Sequence, residues 1–255
     1  MTDLPPPRFW AALSNRMIQM TLGAFAFLAA AAGTALLAQG PASVGGSDRA
    51  AIEQIVHDYI LDHPEIIPQA IEKLQARRVA GTVDANRKAI ETPYAGAWEG
   101  AAKGDVTIVE FFDYACGYCR ASLPDLARLV EEDKGLKIVY RELPILSDES
   151  TAAAKISLLA AERSQYMPYH RALYAAGKVT RDTMLAAAAS AGIDRKTAEA
   201  AIASGQYDTE IQSNIALAQK LAASGTPTFV IGDQVLNGAV GYDALKAAVS
   251  AARGK

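Results

Sequence analysis

Apolar residues along the second half of the chain recur in two alternating patterns. Residues 106–112 (VTIVEFF) form a β-branched and aromatic run that predicts a buried strand, and residues 136–140 predict a second one. Between them, from Cys116 to about Glu132, the spacing is helical, and Gly135 is well placed to end that helix. This order predicts a βαβ unit whose strands pair in parallel.

The remainder of this half is helical first and extended afterwards. Residues 150–224 are rich in alanine, have helical character and are punctuated by glycines, which predicts an inserted helical bundle. Residues 228–231 and 234–236, separated by Gly-Asp, predict a hairpin, and residues 243–252 predict a closing helix. Because strands bracket the helices, the predicted fold class is α/β.

Before this domain, the pattern predicts two short amphipathic helices. The first has an apolar stripe and should stop near Asp62, because Pro64 disfavours a helical conformation at the preceding residue. The stripes consist of Ile52, Ile55, Val56, Tyr59 and Ile60 in the first helix and Ile67, Ala70, Ile71 and Leu74 in the second. Two such helices cannot bury both stripes alone, so these pack either against the main domain or against copies of themselves.

The N-terminal region carries a segment with no charge, residues 17–38, preceded by Arg8 and Arg16. A helix of this length would cross a hydrocarbon core of about 30 Å, which favours a membrane anchor with the arginines inside. The alternative is a cleaved export signal, although Pro41 directly after the small residues speaks against cleavage. In both cases the rest of the chain is exported, either anchored on the periplasmic side of the inner membrane or soluble in the periplasm.

Three regions are therefore predicted. Residues 1–46 hold the signal or anchor and a short linker, and residues 47–90 form a helical stalk that can serve as an oligomerisation segment. Residues 91–255 form the main domain, which opens with a connector over 91–105 and contains the helical insertion at about 148–224.

Composition excludes one functional class and isolates a motif. With 255 residues, 51% hydrophobic content and a net charge of -3, the chain does not resemble a nucleic-acid binder, which normally shows a clustered basic face. Only two cysteines are present, Cys116 and Cys119, so no framework of structural disulfides is possible.

The position of this cysteine pair predicts redox chemistry. A disulfide between them closes a very small loop and would contribute only about 2 kcal/mol of stability, so stapling is a poor explanation. Cys116 lies where a strand turns into a helix, and a helix N-terminus favours a negatively charged thiolate. A thiolate attacks a partner's disulfide, and a second thiol three residues on can resolve the mixed disulfide. We therefore predict Cys116 as the nucleophile and Cys119 as the resolving thiol.

Two other interpretations of the pair stay open. The cysteines can be inert buried thiols, or they can bind a soft metal such as copper(I). A zinc site is disfavoured, because zinc needs further ligands and the three histidines, His57, His63 and His170, are distant in sequence. We predict neither a metal site nor a cofactor and assign each histidine an ordinary structural or surface role.

Several segments resemble the DsbA-like thioredoxin superfamily. The resemblance covers roughly Asp105 to the C-terminus and is carried by four segments, residues 109–119 (VEFFDYACGYC), 141–146 (RELPIL), 169–170 (YH) and 225–228 (GTPT). The helical segment 52–74, which contains His63-Pro64-Glu65, is similar to the N-terminal region of the suppressor of copper sensitivity protein C (ScsC) subgroup. The resemblance implies a thioredoxin fold with a helical insertion, preceded by the stalk and the membrane segment.

It also implies roles for individual residues. Pro227 matches the family's cis-proline beside the cysteine pair, which offers a backbone edge to the bound substrate; without the resemblance, an ordinary trans proline would be expected. Glu110 matches a buried acid that assists proton transfer from the resolving thiol, whereas the alternative is a solvent-facing residue on an edge strand. Both are expected to be catalytic.

The residues around the thiols bear on substrate and direction. Gly117 and Tyr118 stand between the cysteines, where strongly oxidising members carry a histidine, and Thr226 stands where those oxidases carry valine. We expect all three to contact substrate, although Tyr118 can equally be a merely exposed aromatic. The resemblance therefore favours isomerisation or reduction of protein disulfides over dedicated oxidation.

The predicted partners follow from this chemistry. They are proteins with disulfides or thiols and a membrane thiol-disulfide redox partner, and the ScsC resemblance suggests a homotrimer joined through the stalk. A different class of function remains as an alternative, a copper(I)-binding or chaperone-like periplasmic protein that uses its thiols as ligands, with a link to copper tolerance.

Overall fold

The apolar runs and helical stripes fold largely where their patterns predict. The structure, a computed structural model, describes residues 46–254. Its helices are α1 (Gly46–Asp62), α2 (Ile66–Glu91), α3 (Gly117–Glu132), α4 (Asp148–Glu162), α5 (Tyr166–Ala175), α6 (Arg181–Ser190), α7 (Arg195–Ala203), α8 (Asp208–Lys220) and α9 (Tyr242–Arg253). Its strands are β1 (Trp98–Gly100), β2 (Val106–Phe112), β3 (Leu136–Glu142), β4 (Thr228–Ile231) and β5 (Gln234–Asn237).

The chain divides into two compact units between Pro68 and Gln69. The first unit contains α1, which ends at Asp62 as the following His-Pro sequence predicts. Its stripe is solvent-exposed, with Ile52, Ile55, Val56 and Tyr59 each at least half accessible.

No helix within residues 46–254 is long and apolar enough to cross a bilayer. The predicted membrane segment, residues 17–38, and most of the linker after it lie outside the described residues.

The second unit is built on a five-stranded sheet in the order β1-β3-β2-β4-β5. β2 and β3 pair in parallel, which confirms the βαβ prediction, and β4 and β5 form the predicted antiparallel hairpin. β4 runs antiparallel to β2 and thereby places the β4 segment beside the end of β2 from which α3 starts. Helices lie on both faces, so the architecture is the mixed α/β sheet that the thioredoxin resemblance implies.

The expectation of a plain connector over residues 91–105 is wrong in part, because this segment contributes β1. β1 pairs antiparallel with β3, with Trp98 opposite Val139. Gly100 is required at its end, since its φ is 87° and a Cβ atom there would clash with the Leu136 carbonyl oxygen. The strand is only three residues long and is defined by its partner, so its own sequence has no recognisable pattern.

The sheet separates two apolar cores. One face is covered by α3, α9 and the helices α4 to α7, and its buried residues include Ile108, Phe112, Ile138, Tyr140, Phe229 and Leu126. The opposite face includes Val109, Phe111, Val139 and Val230 and is covered by α2 and α8. Five helices, α4 to α8, fill the stretch between β3 and β4 for which the sequence predicts a helical insertion.

The second half of α2 belongs to this core. Val83 and Ile90 are buried against the sheet. The Arg141 guanidinium, buried on β3, donates hydrogen bonds to three carbonyl oxygens at the C-terminal end of α2, those of Ala89, Ile90 and Thr92. These bonds satisfy carbonyls that a helix end otherwise leaves unpaired. The boundary of the stalk at residue 90 stays a prediction.

Candidate active site

The cysteine motif begins in the turn that joins the end of β2 to the start of α3. β2 ends at Phe112, and Cys116 is the N-cap residue of α3, so its backbone is extended while the next residue is already helical. The Cys116 N–H donates to the Asp113 carbonyl oxygen at 3.0 Å, which closes the turn before the helix. Both cysteines are free thiols; Cys116 is 7% exposed and Cys119 is fully buried. Of the two, only Cys116 keeps a small exposed surface.

The segment before β4 lies against the Cys116 thiol. Cys116 Sγ donates a 3.1 Å hydrogen bond to the carbonyl oxygen of Thr226, and the Thr226–Pro227 peptide bond is cis. The antiparallel register explains this proximity, because Phe111 near the end of β2 pairs with Thr228 at the start of β4. The structure thus brings Cys116 to the Thr226–Pro227 pair, which follows it by more than a hundred positions.

Glu110 lies on β2, near enough to both cysteines for their charges to interact. β2 is a central strand and Glu110 is 1% exposed, so the alternative of a solvent-facing residue on an edge strand does not hold. Neither carboxyl oxygen has a hydrogen-bond partner within residues 46–254. Burial raises the pKa of Glu110 to about 8, and the nearby charges of Cys116 and Glu99 add to the effect.

Cys119 shares this environment. Burial, followed by the neighbouring charge of Glu110, raises the pKa of the Cys119 thiol well above its ordinary value. A thiol that holds its proton so firmly needs a nearby base before it can act as a nucleophile. Glu110 is a buried carboxyl group in its neighbourhood.

Asp113 was not singled out by the sequence, yet it organises the surroundings of the motif. Its buried carboxylate accepts the N–H of Ala115 at 2.8 Å with one oxygen. The other oxygen accepts the N–H groups of Ile145 and Leu146, at 2.9 and 3.0 Å. The sequence signal that could have identified Asp113 is an acidic residue directly after a buried strand. At such a position, a polar side chain that folds inwards must form hydrogen bonds with backbone groups.

An aromatic cluster packs behind the motif and surrounds His170. The cluster consists of Phe112, Tyr114, Tyr140, Tyr166 and Tyr174. The centroid of each of these rings lies 4.7 to 5.4 Å from the centroid of the imidazole. His170 Nδ1 and the Tyr114 hydroxyl are 3.0 Å apart, and burial lowers the pKa of His170 to about 3. The imidazole is therefore neutral at any physiological pH and serves as a core residue, in agreement with the ordinary role that the sequence assigns to it.

A second buried acid, Glu142, ends β3 on the same face of the sheet. Burial raises the pKa of Glu142 well above its ordinary value, and its Oε1 has no hydrogen-bond partner. Glu142 belongs to segment 141–146, which carries part of the family resemblance, and the sequence predicted no role for it.

The remaining predicted residues flank the Cys116 thiol. Tyr118 is 71% exposed and Gly117 opens α3, so both border the solvent side of the motif. Thr226 Oγ1 is buried without a partner. Within residues 46–254, no three His, Cys, Asp or Glu side chains come together as a potential metal site.

Family comparisons match both parts of the described chain. Residues 107–250 match the DSBA-like thioredoxin domain, and residues 48–80 match the N-terminal domain of the copper resistance protein ScsC.

Among curated proteins, the chain is similar to proteins of two kinds. It is 27% identical over 156 residues to Na(+)/H(+) antiporter NhaA 1 of Salinispora arenicola, which covers 60% of this chain but only 24% of the antiporter. It is 28% identical over 146 residues to the thiol:disulfide interchange protein DsbA of Bordetella pertussis, which covers 54% of this chain and 68% of that protein.

Solved structures extend the likeness. A thioredoxin-like oxidoreductase from Silicibacter pomeroyi is 37% identical, with a TM-score of 0.63, and the match covers 67% of this chain and 99% of that one. Proteus mirabilis ScsC in a transitional conformation is 25% identical, with a TM-score of 0.61, and the match covers 84% of this chain and 98% of that one.

Proposed function

The chain belongs to the family of DSBA-like thioredoxin domains, and from this membership we propose that it is an exported thiol-disulfide oxidoreductase acting through Cys116 and Cys119. The observation that supports the proposal best is the geometry of the two thiols. One lies at the start of a helix beside the Thr226 carbonyl with a small exposed surface, and the other is fully buried near a carboxyl group of raised pKa.

The proposed reaction begins at Cys116. Its thiolate attacks a sulfur of the partner's disulfide; the partner's S–S bond breaks, a Cys116–partner disulfide forms, and the partner's second sulfur leaves as a thiolate. For isomerisation, a thiolate of the partner then attacks the mixed disulfide and releases Cys116 unchanged. For net reduction, Cys119 attacks Cys116 instead, which frees the reduced partner and leaves a Cys116–Cys119 disulfide.

Glu110 serves the second route. The negative charge of Cys116 is one cause of the raised pKa of Glu110, and that charge disappears when Cys116 enters a mixed disulfide. Glu110 then ionises more readily and accepts the Cys119 proton at the step at which Cys119 must become a thiolate. A carboxyl group whose pKa lies close to neutral pH suits such a transfer in both directions.

We favour isomerase or reductase activity over dedicated oxidation. Gly117-Tyr118 and Thr226 support this direction through the family resemblance. The test is the reduction potential in glutathione buffers, measured together with refolding of scrambled ribonuclease. Ribonuclease activity should recover, whereas strong net oxidation without isomerisation would contradict the proposed direction. Cys119→Ser should accumulate mixed disulfides with protein substrates, and Cys116→Ser should form none.

The cellular setting is part of the proposal. We place the catalytic domain on the periplasmic side of the inner membrane, held by residues 17–38 or released by signal cleavage, and recharged by a membrane thiol-disulfide partner. The match of residues 48–80 to the ScsC N-terminal domain and the exposed apolar stripe of α1 support assembly into a homotrimer through this segment.

Copper(I) binding is the second candidate. It is favoured by two free thiols in one motif and by the match to a copper resistance family. Cys119→Ser separates the two functions, because a pure metal carrier would form no mixed disulfides with protein substrates.

A further inference from the structure

The segment that leads into β4 carries the carbonyl oxygen that lies against the Cys116 sulfur. Residues 224–227 connect α8 to β4 and belong to no helix or strand, so no regular ladder of backbone hydrogen bonds fixes them. The Thr226 carbonyl oxygen nevertheless accepts the Cys116 thiol at 3.1 Å. Individual contacts must therefore hold this segment in place, and they come from the end of β5, the edge strand that pairs with β4.

The Asn237 side chain supplies two of these contacts through a single atom. Asn237 is the last residue of β5 and pairs with Thr228. Its Oδ1 accepts the Ser224 N–H at 3.1 Å and the Thr228 hydroxyl at 3.0 Å. The Ser224 N–H fixes the orientation of the amide, because only the amide oxygen can accept from a backbone N–H. One acceptor thus joins the residues that lie two positions before and two positions after Thr226.

Two further hydrogen bonds occupy the neighbouring carbonyl groups. The Thr228 hydroxyl also bonds to the Gly225 carbonyl oxygen, at 2.8 Å, and the Gly238 N–H donates to the Pro227 carbonyl oxygen at 2.8 Å. Gly238 has a φ of 85°, which favours glycine at this position. The carbonyl oxygens directly before and after that of Thr226 are therefore both engaged, whereas the Thr226 oxygen lies against the sulfur.

The location of Asn237 separates this role from a contribution to the core. Asn237 is exposed and belongs to neither of the two apolar cores. Its replacement therefore removes hydrogen bonds without opening a cavity. Within residues 46–254, its side-chain hydrogen bonds go to Ser224 and Thr228 and not to a cysteine, so it acts on Cys116 through the segment.

From these contacts we propose that Asn237 is a positioning residue for thiol-disulfide exchange. Its amide oxygen holds residues 224–228 so that the Thr226 main chain lies along the Cys116 sulfur, where it receives the main chain of an extended polypeptide substrate. The inference rests on the proposed function and adds a residue on which the recognition of peptide substrates depends. A small disulfide without peptide groups does not use this edge, so its reaction should not depend on Asn237.

The test compares two disulfides that share one leaving group. One is a blocked pentapeptide whose central cysteine forms a mixed disulfide with 2-mercaptoethanol, and the other is bis(2-hydroxyethyl) disulfide. The protein is the full chain with Cys119→Ser, in which adducts on Cys116 accumulate. In both reactions the Cys116 thiolate attacks one sulfur, a new disulfide forms on Cys116, and the thiolate of 2-mercaptoethanol leaves. Mass spectrometry measures the rate constants of the two adducts, and their ratio is the readout.

Substitutions of Asn237 should change this ratio according to their ability to accept hydrogen bonds. In Asn237→Ala and Asn237→Leu the peptide should react about tenfold more slowly, the rate equivalent of one misplaced hydrogen bond, while the small disulfide stays within about twofold. Asn237→Asp keeps an oxygen acceptor for both donors and should retain the original ratio. Gln234→Leu removes an amide from the other end of β5 and is the matched control that should also retain it.

Each alternative result has a definite meaning. A ratio that is unchanged in Asn237→Ala and Asn237→Leu, or that Asn237→Asp loses to the same extent, overturns the inference. A parallel fall of both rate constants overturns it as well, because the damage would then lie at Cys116 and not at the substrate edge. Failure of both variants to fold, checked by thermal unfolding, would assign Asn237 a structural role instead. If the protein with Asn237 intact forms neither adduct, the proposed function itself is wrong.

Discussion

The thiol of Cys116 and the carbonyl oxygen of Thr226 are joined by a hydrogen bond of 3.1 Å, although the two residues come from opposite ends of the domain. The next peptide bond is the cis bond to Pro227. The Thr226 carbonyl oxygen of this segment thus lies against the nucleophile. A substrate that replaces the thiol hydrogen bond with its own backbone would lie directly across the reacting sulfur.

The hydroxyl of Thr226 predicts a stability change. Its Oγ1 is buried and has no partner, so replacing Thr226 by the isosteric valine should raise the free energy of unfolding by about 1 kcal/mol. Thr228 provides the matched control, because its hydroxyl bonds to the Gly225 carbonyl oxygen at 2.8 Å and to Asn237 at 3.0 Å. Thr228→Val should lower the same quantity by about 1 to 3 kcal/mol. Urea unfolding of the reduced proteins measures both, and equal effects of the two substitutions would contradict the assignment.

Glu110 should make stability depend on pH. Its pKa is raised from 4.5 to about 8 by burial first, so the folded state holds a proton that the unfolded state releases above pH 4.5. Stability should therefore fall as pH rises from 4.5 to 8, by roughly 5 kcal/mol if this group acted alone. Glu110→Gln carries no ionisable group and should remove this part of the slope.

Denaturant unfolding of the reduced protein at intervals from pH 5 to pH 8.5 measures the effect. Glu131→Gln is the matched control at an exposed position and should leave the slope as it is. Parallel curves for wild type and Glu110→Gln would show that Glu110 is solvated in the native state. The same variant should also slow the release of mixed disulfides, since Cys119 loses its proton acceptor.

Arg141 should be among the most sensitive positions for stability. Its buried guanidinium donates hydrogen bonds to carbonyl oxygens at the end of α2 and also to Asn214 Oδ1 at 2.8 Å. Arg141→Met leaves the Ile90 carbonyl oxygen and Asn214 Oδ1 without their donor in the interior and should cost about 3 to 5 kcal/mol. Arg195→Met, at an exposed arginine paired with Glu199 on the same helix, should cost under about 0.5 kcal/mol. Comparable losses in thermal unfolding would refute a special role of Arg141.

The exposed stripe of α1 predicts the oligomeric state. Under the trimer proposal, light scattering should show three chains for the wild type and one for the variant Ile52→Ser/Ile55→Ser/Tyr59→Ser, because the variant lacks the apolar surface proposed to join the copies. Leu61→Ser removes an equally exposed side chain two residues beyond Tyr59 and should leave the mass unchanged. A wild-type protein of single-chain mass would end the trimer proposal.

Much of the fold could be predicted from the sequence, because its signals are local. The run 106–112, the helix after it and the strand that follows have periodicities which a single segment reveals. The position of Cys116 at the start of α3 followed from the same pattern. β1 was not predicted because a strand of three residues is too short to show a periodic pattern. Its position depends on its pairing with β3.

The candidate site was only half visible. Cys116 and Cys119 form a motif that composition alone isolates, and resemblance to a family supplied Glu110 and Pro227. Asp113 was not predicted because its role depends on hydrogen bonds from backbone N–H groups about thirty residues away. No spacing of residues in the sequence reveals such contacts. Glu142 stayed unnoticed because an acid at a strand end is ordinarily solvated.

The sequence by itself determined the order of elements, the place of the thiols at a strand-helix junction and the absence of any other cysteine chemistry. These properties depend on residues that are close together along the chain, and such local patterns can be recognised in the sequence alone. Tertiary structure alone decided which thiol keeps an exposed surface, that Glu110 is buried with no hydrogen-bond partner among the described residues, and that the Thr226 carbonyl oxygen lies against the Cys116 sulfur. The reason is that burial and electrostatics depend on atoms from distant segments, and only the packed sheet brings those segments within reach of one another.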